Sequence, residues 1–293
     1  MAKIKFIERS TGQLIEEDVP GGRVLNFLYG KNPLGKLSLF VMFRRKYFTV
    51  LFGKYIDSAR SKKGVIKFIE KFNIDMDDYQ DEVASFETFN EFFYRKIKPS
   101  ARPIGQGIVS PADGRVLAFP KISDSRRFFI KGSEFNLNTF LGNPLLADKY
   151  TDGSMFIVRL APVDYHRFHF PVEGVAKAST KIKGAYYSVS PMALRKNLEI
   201  FCQNKREYCT VKTENRGDVL ICDVGATLTA GIHQTYSANS NVKKGDEKGY
   251  FSFGGSTLVV LFEKNKMSFS DDLIKNTEEG LETWLQMGET IGE

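Results

Sequence analysis

The period of the hydrophobic pattern changes about a third of the way along the chain. Before residue 100, apolar residues recur at helical spacing. Val65, Ile69 and Phe72 form one such series, and Val83, Phe86, Phe89 and Phe93 form another that ends at Lys98-Pro99. Nearer the N-terminus, Phe40, Phe43, Tyr47, Val50 and Leu51 share one helical face. Pro99 and Pro103 mark a boundary. From Ile104 onward, short runs rich in β-branched and aromatic residues alternate with Gly, Pro, Asn and Asp. Strands are predicted at Arg115–Phe119, Met155–Leu160, Tyr208–Thr213, Val219–Val224, Thr227–Ile232 and Thr257–Phe262. Asn215-Arg216-Gly217-Asp218 reads as a hairpin turn. There is no βαβ alternation and no G-x-G-x-x-G after a strand, which disfavours Rossmann and P-loop folds. The expected fold is α+β. A helical region, residues 1–100, precedes a β-rich, mainly antiparallel body, residues 101–293.

Charge sharpens this division. The 293 residues carry a net +7. Between Gly21 and Glu70, eleven Lys and Arg face only Asp57 and Glu70, a local charge of +9 that leaves −2 for the rest. The basic stretch is also apolar. Leu37–Phe43 and Tyr47–Gly53 are uncharged runs split by Arg44-Arg45-Lys46, each far short of the roughly 20 residues that span a bilayer. Glu8, Glu16 and Glu17, with no long apolar run, do not read as a signal peptide. A basic, apolar-faced helix is how an interfacial membrane segment reads; an ordinary core helix with a solvated basic face is the other reading. No nucleic-acid-binding motif accompanies the charge. Cys202, Cys209 and Cys222 are odd in number and lack metal-ligand spacing, which fits a reducing compartment.

Three stretches could carry chemistry. In Ser110-Pro111-Ala112-Asp113-Gly114-Arg115, an Asp in a Pro/Gly turn ordinarily caps backbone N–H groups. In Asp164-Tyr165-His166-Arg167-Phe168-His169, two of the chain's three histidines stand three apart, bracketed by Pro162 and Pro171. Such a pair can divide proton transfer between them, or simply be hydrogen-bonded in the core. A zinc site would need further ligands that the neighbourhood does not offer. The remaining histidine, His233, reads as structural. In Phe253-Gly254-Gly255-Ser256-Thr257, a Gly-rich turn enters an apolar strand. Gly255 has no Cβ, so its carbonyl is open, and Ser256 Oγ lies one residue on. A His oriented by an Asp is the usual means of activating such a Ser. The pattern is not a G-x-S-x-G elbow.

Together these stretches resemble the phosphatidylserine decarboxylase family, pyruvoyl-dependent enzymes made as self-cleaving proenzymes. Phe92-Phe93-Tyr94-Arg95 and Lys98-Pro99-Ser100-Ala101-Arg102-Pro103-Ile104 extend the likeness, which runs from about residue 85 to 265. Before residue 85 only the basic, apolar character matches. The resemblance implies that Asp113, His169 and Ser256 form a charge relay for self-cleavage between Gly255 and Ser256. It implies a pyruvoyl group made from Ser256 that forms a Schiff base with the substrate amine. His166 matches a second histidine used in substrate binding or decarboxylation. The cleavage products would be a β chain, residues 1–255, and an α chain, residues 256–293, held together as a heterodimer that could oligomerise further. Neither metal nor nucleotide is expected.

The implied substrate is phosphatidylserine in anionic membranes, the product phosphatidylethanolamine. The implied location is the cytoplasmic side of the cell membrane, as a peripheral protein in phospholipid biosynthesis. Such a substrate favours the interfacial reading of the basic segment. A serine hydrolase using the same three residues, and a membrane-binding protein without catalysis, are the alternatives.

Overall fold

The computed structural model describes residues 4–17, 51, 53–125, 135–185, 187, 189, 200–226, 231–254 and 256–293. In chain order the strands are β1 (Lys5–Glu8), β2 (Gln13–Glu16), β3 (Ile108–Val109), β4 (Gly114–Phe119), β5 (Ser154–Leu160), β6 (Arg167–His169), β7 (Gly174–Ala176) and β8 (Thr180–Ile182). They continue with β9 (Arg206–Lys212), β10 (Asp218–Gly225), β11 (Ile232–Gln234), β12 (Ser240–Val242), β13 (Glu247–Phe251), β14 (Ser256–Phe262), β15 (Glu282–Leu285) and β16 (Thr290–Gly292). The helices whose whole span lies among the described residues are short: α1 (Lys63–Phe72), α2 (Phe89–Phe93), α3 (Leu137–Leu141), α4 (Pro144–Lys149), α5 (Ile200–Gln203) and α6 (Asp271–Glu278).

One large sheet runs β12-β7-β9-β10-β14-β5-β4-β15-β1-β2, with β8 also beside β9. All its pairings are antiparallel except β1 with β15. A smaller sheet, β11-β13-β6, lies outside it. The central strands β4, β5 and β14 are buried along their whole length. Alternate residues face opposite ways. Val116, Ala118, Phe156, Val158, Leu258 and Val260 join one core, with Phe168 and Phe251 of the small sheet. Leu117, Phe119, Met155, Ile157, Val259 and Leu261 join a second core, with Phe140, Ala147 and Phe201 of α3, α4 and α5. A strand covered on both faces needs apolar residues at every position, hence the unbroken run Leu258–Phe262.

The strand expectations for the body hold, with ends moved by a residue or two. Of the expected Thr227–Ile232, residues 227–230 lie outside the described set and Ile232 opens β11. The predicted turn closes the β9–β10 hairpin, where the Thr213 N–H donates to Gly217 O at 3.2 Å. α1 forms where Val65, Ile69 and Phe72 predicted it.

The expectation of a mostly helical first hundred residues needs correction. Residues 5–16 form the β1–β2 hairpin, and β1 extends the large sheet beside β15. Two four-residue segments around a polar turn are too short to propagate a helix. The Val83–Phe93 series is also broken. Thr88 is extended, and its hydroxyl accepts the Glu91 N–H at 3.1 Å, so α2 starts there. Its aromatics still gather: Phe86, Phe89, Phe92 and Phe93 pack with Val65 and Ile56. Most of the expected interfacial helix, Phe40 to Val50 with Arg44, Arg45 and Lys46, lies outside the described residues.

The topology brings five strand ends to one edge of the molecule. β10 ends at Gly225, β14 begins at Ser256 and β5 ends at Leu160, in register with one another. β4 begins at Gly114 opposite the end of β15 at Leu285. Gly114 is required there, because a Cβ would lie 2.7 Å from Val158 Cγ1 and 2.8 Å from Arg159 O. If the doubly covered strand holds this edge in place, Leu261→Ala should destabilise the protein by about 2–5 kcal/mol. Urea denaturation followed by circular dichroism measures this.

Candidate active site

Ser256, the first residue of β14, has no exposed surface, and its Oγ has no hydrogen-bond partner. By strand alternation it faces the same way as Leu258 and Val260, toward the small sheet. The small sheet carries His169 at the end of β6, and the His169 N–H donates to Pro111 O at 2.7 Å. That bond ties the histidine strand to the Pro111-Ala112-Asp113 turn. Gly255 lies outside the described residues. Gly254, before it, has φ 144°, a region that side chains disfavour.

Asp113 is buried at the mouth of β4. Its carboxylate accepts from Arg102 Nε at 3.0 Å, from the same guanidinium at 2.7 Å and from the Met287 N–H at 2.7 Å. Arg102 also pairs with Asp78 at 2.7 Å. The two carboxylates push its pKa up despite burial.

The His169 ring is held at both nitrogens. Nδ1 lies 2.9 Å from the Gly245 carbonyl, which can only accept, so Nδ1 carries the proton. Nε2 then accepts from the Tyr165 hydroxyl at 3.1 Å. Burial lowers the His169 pKa, while the Gly245 carbonyl and the charges of Glu247 and Asp113 oppose that shift. Asp113, His169 and Ser256 thus share one region, but no hydrogen bond joins any two of these side chains. Tyr165, His169, Arg102, Lys96, Glu247 and Met287 help to line a cleft of about 240 Å³.

His166 is fully buried on the loop that leaves β5. Its Nδ1 lies 2.9 Å from Asp164 O, so the same logic places the proton there. Nε2 has no partner. The ring packs 3.8 Å from that of Phe93, and the Phe251 N–H donates to His166 O at 2.9 Å. Desolvation, helped by the Arg95 and Arg115 charges, pushes its pKa down to about 3. Phe253, in the glycine loop, packs 4.9 Å from Phe93, and its N–H donates to Asn90 Oδ1 at 2.9 Å. α2 therefore touches both the glycine loop and His166.

His233, read as structural, stacks on Tyr250 at 4.7 Å with Ser252 Oγ 3.4 Å from Nε2. Among the described residues, no group of three or more His, Cys, Asp or Glu could hold a metal. Arg102 and Tyr165 are further site partners; both stand inside the stretches named above, but residue type alone does not single them out.

A buried hydroxyl without a partner costs stability. One kept at the same sheet end as two neutral, buried imidazoles marks the chain as an enzyme. The comparisons agree and go further. The family model described as phosphatidylserine decarboxylase matches residues 89–293. A phosphatidylserine decarboxylase proenzyme of Fusobacterium nucleatum is 49% identical, across 99% of this chain and 97% of the relative. Proenzymes of the same name from Clostridium novyi and Ruminiclostridium cellulolyticum are each 46% identical over 99% of this chain, and cover 99% and 97% of themselves. The chain belongs to the phosphatidylserine decarboxylase family. The likeness includes the N-terminal region, where the sequence reading found only a match of character.

The neutral histidines predict an acid-labile fold. Unfolded His166 binds a proton near pH 6.5, whereas folded His166 resists it until about 3. Between these values the unfolded state holds more protons, so stability falls as pH falls, with a slope that steepens toward about 1.4 kcal/mol per pH unit for this group below about pH 5.5. Unfolding free energies measured from pH 7 to 5 should show this slope, and His166→Gln should flatten it.

Proposed function

We propose that this enzyme converts phosphatidylserine to phosphatidylethanolamine, using a pyruvoyl group made from its own Ser256. The observation that carries the proposal is the Ser256 hydroxyl, buried without a partner at the first position of a core strand, directly after Gly254-Gly255. The proenzyme names of the relatives support it.

Self-cleavage starts when His169 takes the Ser256 hydroxyl proton and Oγ attacks the Gly255 carbonyl. Nε2 carries the lone pair of His169, so it exchanges the Tyr165 hydroxyl for Ser256 Oγ in the reacting state. Such bonds are often loose before reaction. The Asp113 carboxylate, paired with Arg102, favours the imidazolium that forms. The peptide becomes an ester with a free amine on residue 256. β-Elimination expels the Gly255 carboxylate and leaves dehydroalanine, which hydrolyses to pyruvoyl and ammonia. The pyruvoyl group supplies a ketone that takes up a primary amine and accepts the electron pair as CO2 leaves. His166, neutral with its lone pair on Nε2, holds or moves a proton during that step. Residues 256–293 stay with residues 1–255 because β14 is paired on both sides, with β10 and β5.

The substrate lies in a membrane, and the +9 segment is the proposed means of reaching its cytoplasmic face. Within its described part, exposed Leu51, Tyr55 and Ile66 accompany Lys62, Lys63 and Lys67. No helix among the described residues is long and apolar enough to cross a membrane.

The direct test is release of labelled CO2 from carboxyl-labelled phosphatidylserine. Ser256→Ala, His169→Ala and Asp113→Asn should give one uncleaved, inactive chain on denaturing gels. Normal processing in His169→Ala or Asp113→Asn would break the proposed relay. His166→Ala should process yet lose roughly 10²–10⁴-fold in kcat. Neutralising Arg44, Arg45 and Lys46 should weaken sedimentation with anionic vesicles, most clearly at low salt. Unchanged binding would remove the segment from that role.

A further inference from the structure

Two arginines near His166 are buried in an unusual way. Arg95 follows α2 and is 1% exposed, yet no carboxylate pairs with it among the described residues. Its guanidinium lies 4.1 Å from the Tyr79 ring and 4.5 Å from the Phe92 ring. It donates to Phe92 O at 3.1 Å, Tyr79 Oη at 2.9 Å and Val163 O at 3.3 Å, and its Nε has no partner. A buried charge without a counter-ion is costly, and stacked rings offset only part of that.

Arg115 reaches the same loop from β4. It pairs with the Asp164 carboxylate, and its Nε also lacks a hydrogen-bond partner, with Glu17 no nearer than 3.9 Å. Asp164 holds the loop closed by accepting the Ala161 N–H at 2.6 Å. Its own carbonyl accepts from His166 Nδ1. One arginine thus grips the loop at Val163, the other at Asp164. Both precede His166 by three residues or fewer.

We propose that Arg95 and Arg115 are positioning residues that clamp the Ala161–His166 loop from two sides and hold His166 as the neutral Nδ1–H tautomer. The clamp works through geometry and field together. It places the Asp164 carbonyl under Nδ1, so that only Nε2 keeps a lone pair. The two cations oppose a third positive charge on the imidazole. Arg115 neutralises the Asp164 carboxylate, the acid on the histidine's own loop, and the Phe93 ring packs against the imidazole with no charge. The link to catalysis rests on the reading of His166 given above.

With three histidines in the chain, nitrogen-15 histidine spectra of the mature enzyme can be assigned by comparison with His166→Gln. In the wild type, His166 should show the neutral Nδ1–H pattern from pH 7 to 5. An imidazolium or an Nε2–H pattern at pH 6 would overturn the clamp without any variant. In Arg95→Met and Arg115→Met, imidazolium or the other tautomer should appear, with kcat lowered roughly ten- to a hundredfold and KM little changed. Arg95→Lys should keep most of the wild-type pattern. Unchanged spectra in both Met variants would overturn the proposal whatever their activity. Altered spectra with full kcat would support the clamp and dismiss His166 from decarboxylation, so the two readings fail separately.

Discussion

Burial of β14 on both faces is the constraint on which the rest depends. A strand covered by helices on one side and a second sheet on the other has no freedom to shift its ends. Its first residue is a serine whose hydroxyl is left without a partner. The apolar run from Leu258 to Phe262 supplies the burial that anchors this hydroxyl at the strand's tip. The same burial explains how the polypeptide could be cut at that tip and remain one folded body. Pairing with β10 and β5 continues through the whole of β14.

Around this tip, charge is managed by pairing and neutrality by desolvation. Asp113 pairs with Arg102, and Asp164 with Arg115. Arg159 bridges Glu17 at 2.6 Å and Glu282 at 2.5 Å, stitching the N-terminal hairpin to the sheet. The two histidines, in contrast, are kept uncharged by burial, and carbonyls at Nδ1 set both tautomers. Buried ion pairs of this kind are weak evidence for stability and better evidence for placement. Here the Arg102 and Arg115 pairs each fix a turn or loop that carries a site residue.

The body was legible where period and turn chemistry agree. Residues 257–262 read as a strand from their apolar run, and the hairpin around Gly217 read from its turn residues. The three stretches carrying Asp113, His166 with His169, and Ser256 read from residue type and order. What could not be read were contacts made across large sequence distances. Arg9 meets Asp272 at 2.7 Å, and the Met287 N–H meets Asp113. No local pattern announces either. Residues 5–16 read poorly because a four-residue strand becomes a strand only when β15 lies beside it. The hydrogen bonds of His169 to Gly245 and Tyr165, in place of Asp113 and Ser256, also lay beyond the sequence. Residue types name the candidate groups of a relay, not which of their atoms are already engaged.

The proposed chemistry requires that Ser256 cease to be serine. Denaturing mass spectrometry of the active preparation tests it most directly. Two chains should appear, residues 1–255 and residues 256–293, the smaller one lighter by one ammonia than a fragment beginning with serine. A single intact chain in a preparation that decarboxylates, or a small fragment with an ordinary serine N-terminus, would contradict the account.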